Sequence, residues 1–100
     1  MISAGITGFT PQQPVQLLTG PIRVDLGDKR RRMALEGDSY TFHGSPDAFL
    51  KDCERYNELV RIDWLVLRFG YGHVTLQASW VAATVRDTCL LRDRPQHGSA

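Results

Sequence analysis

The run Trp64-Leu65-Val66-Leu67-Arg68-Phe69 is apolar on both faces until Arg68, the pattern of a strand buried inside a sheet. Such a strand needs cover above and below, and the flanking sequence offers it. Ser45-Pro46-Asp47 is a helix start, with Ser45 as N-cap, Pro46 at the first helical position and an acid in the first turn. Phe49, Cys53, Tyr56 and Val60 then recur at helical spacing, so an amphipathic helix is expected to about Ile62. Gly70-Tyr71-Gly72 reads as a turn. A second helix, from about Thr75 or Ser79 to Arg92, would bury Val81, Val85 and Cys89.

Upstream, Pro14-Val15-Gln16-Leu17-Leu18 reads as a first strand, ended by Thr19-Gly20-Pro21. Two further strands follow, Ile22–Leu26 and Arg32–Asp38, joined by the polar connection Gly27-Asp28-Lys29-Arg30-Arg31-Arg32. Ser39–Gly44 extends toward a turn. The order strand, strand, strand, helix, strand, helix predicts an α/β fold, with a mixed central sheet of about four strands flanked by helices. Residues 1–13, with Gly5, Gly8 and Pro11, read as an irregular entry, 14–92 as the domain and 93–100 as a loose polar tail.

One hundred residues make a single domain. Net charge is +1, so binding to an anionic partner depends on where the basic groups lie. They cluster at Lys29–Arg32 and recur at Lys51, Arg55, Arg61 and Arg68. No apolar run approaches the roughly 20 residues of a membrane helix, and the N-terminus lacks the pattern of a signal peptide. Cys53 and Cys89 stand apart from any C-x-x-C or histidine partner. They read as buried reduced thiols, the usage of a cytoplasmic protein.

Asp25, Glu36 and Asp38 carry the chemistry. Side chains alternate along a strand. Burying Leu26 and Leu35 together therefore turns Asp25 and Glu36 onto the opposite face, where they come close. Clustered acids either titrate abnormally or hold a cation, and hard oxygen ligands suit magnesium. The same residues also suit a solvated polar hairpin face.

The blocks Ile22–Leu26, Ala34–Asp38, Phe42-His43-Gly44, Asp52, Arg55-Tyr56-Asn57-Glu58-Leu59, Trp64–Phe69 and His73-Val74 resemble a bacterial family of small nuclease-like domains. That family is related to the very-short-patch mismatch repair endonucleases, within the restriction-endonuclease-like superfamily. The resemblance covers about residues 14–90 and implies metal-dependent hydrolysis of a DNA phosphodiester bond. It matches Asp25 and Glu36 to the ligands of Mg²⁺ or Mn²⁺. It places Asp38 where the wider superfamily has Lys, and His43 at an acid–base position. Asp52 and Arg55 match polar positions facing the site, as orienter of His43 and phosphate clamp. Lys29, Arg30 and Arg31 are expected to contact the DNA backbone. His73 is expected to be structural or a phosphate contact.

Relatives of this kind begin with a helix before the first strand; residues 1–13 are expected to be too short for it, either because the chain is a truncated form or because the helix comes from elsewhere. Asp38 and that missing helix favour an alternative, a catalytically silent nuclease-fold module that binds DNA or a protein partner. A generic α/β fragment with an incidental acidic hairpin is the third possibility.

Overall fold

The computed structural model describes residues 6–38 and 46–94. Its elements are β1 (Thr10–Leu17), β2 (Gly20–Asp28), β3 (Met33–Asp38), α1 (Pro46–Arg61), β4 (Leu65–Gly70), α2 (Tyr71–Leu76) and α3 (Ala78–Asp93). The four strands form one mixed sheet in the order β1-β2-β3-β4. β1, β2 and β3 run antiparallel in turn, and β4 joins β3 in parallel after the α1 crossover. The expected α/β layer with helices against a four-stranded sheet is present.

Two apolar clusters cover the two faces. Val15, Leu17, Val24, Ala34, Leu59 and Trp64 pack together on the α1 side. Met33, Leu35, Phe69, Val81, Val85 and Cys89 pack together on the α3 side. β2 contributes to both, because Val24 belongs to the first and Leu26 to the second. Two residues apart on a regular strand would share a face. The β1–β2 ladder skips the step between Gln12 and Asp25, and Gln12 sits at φ 53°. The chain changes face there. Just beyond, Gly27 is required: a Cβ would stand 2.7 Å from Gln13 Cβ and 2.8 Å from Val24 Cγ2.

Several expectations change: β2 runs from Gly20 to Asp28, so Gly20-Pro21 and Gly27-Asp28 are strand, and Cys53 is only half-buried. β1 begins at Thr10 rather than Pro14, which takes residues 10–13 out of the irregular entry. Pro11 and Pro14 fit because β1 is an edge strand, where a missing N–H costs no ladder bond. The Gly70-Tyr71-Gly72 turn instead opens α2, and His73 Nδ1 accepts the Gly70 N–H at 2.9 Å. β4 is an edge strand of this sheet, although its sequence is that of an interior one. Finally, the Phe49, Tyr56 and Val60 stripe of α1 is exposed, and Leu59 is the buried residue of that helix.

The turn between β2 and β3 is tied down by charge. Arg31 donates to both Asp28 and Asp93, and its Nη1 also reaches the Thr7 carbonyl oxygen at 2.8 Å. One side chain thereby joins the N-terminal segment, the turn and the end of α3. Asp28 is buried and also accepts the Arg31 backbone N–H. Among the described residues, no helix is long and apolar enough to cross a membrane.

Candidate functional site

The charged side chains gather toward the C-terminal ends of β3 and β4. β2 and β3 pair Leu26 with Leu35, both in the α3-side cluster, as expected. Beyond that pair, Asp25 Oδ2 accepts the backbone N–H of Gly37, the residue after Glu36, at 3.0 Å. Glu36 follows Ala34 on the α1-side face and is buried. In the parallel ladder, Arg68 of β4 lies opposite Glu36.

α1 delivers the countercharges. Arg55 Nη1 and Nη2 donate to Glu36 Oε1 and Oε2, each at 2.7 Å, and Nη2 also reaches the Arg23 carbonyl oxygen at 2.9 Å. The hydrogen bonds to Glu36 hold the Arg55 guanidinium above its ordinary pKa, against the opposing effect of burial, with smaller help from the charges of Asp52 and Asp25. Asp52, one turn earlier, accepts from Arg68 Nη1 at 2.9 Å. Asp52 and Arg55 are therefore not an i, i+3 surface pair. Each reaches down to a different strand.

The fold thus brings Asp25, Glu36, Asp52 and Arg55 into one neighbourhood and adds Arg68. Sequence reasoning missed Arg68 as a member of the group, although its position after the apolar run was the available signal. Asp38 closes β3 opposite Gly70; its side chain, His43 and the expected N-cap Ser45 lie outside the described residues. His73 packs its ring against Trp80, with centroids 5.1 Å apart, and near Phe69 at 6.5 Å. With Nδ1 committed to Gly70, it has a structural role.

The basic turn divides. Arg31 is committed to Asp28 and Asp93, whereas Arg30 is exposed and reaches Asp93 at 3.5 Å. Lys29 stands with Arg32 at a cavity of about 440 Å³, lined also by Pro14, Pro21, Ile62 and Trp64.

The carboxylates can be tested against a divalent ion. Magnesium needs as few as one or two protein carboxylates, with water completing its shell. Asp25 is exposed, and its Oδ1 is open among the described residues. Glu36 has both oxygens on Arg55, so a cation there competes with that guanidinium. Among the described residues, no group of three or more His, Cys, Asp or Glu side chains is placed to hold a metal ion. No family model matches this chain, and neither a curated protein nor a solved structure matches it.

Proposed function

We propose that this chain is a metal-dependent DNA endonuclease with a restriction-endonuclease-like fold, of the very-short-patch-repair type. What supports the reading is the placement on neighbouring strands of Asp25, bonded to the Gly37 N–H, and of Glu36, bonded to Arg55 of the crossover helix. Asp25 and Glu36 would hold Mg²⁺ or Mn²⁺. When bound, the ion neutralises the scissile phosphate and lowers the pKa of its water.

Arg55 has two competing anions in this scheme. At rest it neutralises Glu36, and a phosphodiester brought to the same face offers the planar guanidinium an equivalent pair of oxygens. Transfer of Arg55 from Glu36 to the phosphate frees a carboxylate as the substrate arrives. His43 then takes a proton from water or gives one to the leaving oxygen through its imidazole nitrogens. Asp52 orients groups at the helix face, and Lys29 and Arg30 attract the backbone without reading sequence.

The second reading is a catalytically silent module that binds DNA or a protein partner. It is favoured by the double hydrogen bond from Arg55, which occupies both Glu36 oxygens. Incubation of purified protein with supercoiled plasmid, with Mg²⁺ or Mn²⁺ and with EDTA, separates the two. Nicking that requires the cation supports the nuclease; salt-sensitive binding without cleavage under any cation supports the silent module.

A further inference from the structure

β4 combines an interior strand's sequence with an edge strand's position. Leu65 N–H donates to the Arg32 carbonyl oxygen at 2.9 Å, so it points toward β3. Backbone groups alternate sides along a parallel ladder, so the N–H and C=O of Val66 point away from β3, past the edge. Leu67 and Phe69 pack on the α3 side and Val66 on the α1 side. Hydrophobic edges of this kind invite pairing, and no described strand covers this one.

Both helices overhang the same edge. On α1, Leu59 points into the sheet, while Arg55 leans to β3 and β2 and Asp52 leans to β4. At about 100° per residue, Tyr56, Phe49 and Val60 follow about 60–100° beyond Leu59 on the Asp52 side. They therefore point outward past β4. On α3, Asp93 reaches back to Arg31 at the β2–β3 turn. At about 100° per residue, Trp80 and Leu91 lie on the opposite side of α3 from Asp93, and Trp80 meets Phe69 of β4 edge to face with centroids 5.7 Å apart. Phe49, Tyr56, Val60, Leu65, Trp80 and Leu91 are each more than a third exposed. The edge is thus a slot for a strand, with apolar side chains above and below.

We infer that a second copy of this chain fills the slot: two β4 edges pair antiparallel about a two-fold axis and continue the sheet across the dimer. A two-fold contact sets the same patch against itself. Here that means an apolar strand against an apolar strand, and the α1 and α3 flanks against their counterparts. The one charged side chain on β4, Arg68, is neutralised within its own copy by Asp52. These six exposed apolar residues, with the free backbone groups of β4, are the surface from which the ~800 Å² per partner of a standard interface would be drawn. The contact reaches Arg68 and its partner Asp52 at the margin of the candidate site, whereas Asp25, Glu36 and Arg55 belong to β2, β3 and the far flank of α1.

The test is analytical ultracentrifugation of the full chain between about 1 μM and 1 mM, with amide exchange of Val66 measured over the same range. The expected result is a concentration-dependent dimer in which the Val66 amide gains protection. Val60→Lys and Leu91→Lys, both at exposed positions, should each weaken it by about tenfold or more. Leu18→Lys, at the β1–β2 turn, should not. A wild type that stays monomeric at 1 mM overturns the inference, even if it captures a strand of another protein. So does a dimer indifferent to Val60→Lys and Leu91→Lys, or one equally weakened by Leu18→Lys. Should either lysine variant fail to fold, the wild-type Val66 amide decides: exchange that is independent of concentration overturns it.

Discussion

Arg55 spans from the crossover helix to β3 and places its two terminal nitrogens 2.7 Å from the two oxygens of Glu36. The pair is partly buried, with 28% of the Arg55 side chain and 8% of the Glu36 side chain accessible. Planar two-point pairing of this type is strong and directional. It has a structural consequence and a functional one, and they are separable by mutation.

Arg55→Ala leaves a buried carboxylate without its partner, which should cost about 3 kcal/mol, toward the low end for a broken buried pair because Arg55 is partly solvated. Urea unfolding measures it. Adding Glu36→Gln removes the orphaned charge, so the double variant should recover part of the loss. A double variant no more stable than Arg55→Ala would show that the arginine acts through packing alone.

Cation binding reads the same contact from the other side. Titration calorimetry should detect Mn²⁺ binding that Asp25→Asn abolishes. In Arg55→Ala, with Glu36 released, binding should become tighter, because the cation no longer competes with a guanidinium. Unchanged affinity in both variants would remove the ion from this site.

The Arg31–Asp93 contact makes stability depend on pH. Hydrogen bonding from Arg31 holds the Asp93 carboxyl below its ordinary value. A carboxylate with a lowered folded-state pKa contributes stability that is present above the unfolded value of about 3.9 and is lost as pH falls through the lowered one. Urea midpoints at pH 7 and at successively lower pH should show this loss, and Asp93→Asn should flatten it.

Much of the architecture was legible because it is written locally. Pro46 with an acid behind it marks the start of α1, and Val81, Val85 and Cys89 mark the buried face of α3. The Leu26–Leu35 pairing followed from alternation. What depends on distant partners was not legible. The position of β4 in the sheet is set by which strands exist to flank it, and its apolar pattern alone reads as interior. The apolar stripe of α1 looked like its core face, but the sheet instead receives Asp52, Arg55 and Leu59. Asp52 and Arg55 were expected to face the site only through the resemblance, and helical spacing does not reveal that their partners are Arg68 and Glu36. That Arg55 neutralises Glu36 was not legible, because the two are 19 residues apart.

Packing predictions test that picture. Leu59 is fully buried beneath α1, so Leu59→Ala should cost about 2–5 kcal/mol in thermal or urea unfolding. Gly27→Ala places a methyl group against Gln13 and Val24 and should cost about 1–3 kcal/mol by overpacking. A neutral Gly27→Ala would mean that β1 and β2 separate there more easily than the close approach implies.

The central claim is hydrolysis at the Asp25–Glu36 pair, and plasmid nicking tests it most directly. Supercoiled DNA incubated with the wild type should become nicked with Mg²⁺ or Mn²⁺ and remain intact with EDTA. Asp25→Asn, at an exposed position where folding should survive, should leave the DNA supercoiled under every condition. Nicking by Asp25→Asn at the wild-type rate, or intact plasmid from the wild type with either cation, would contradict the account.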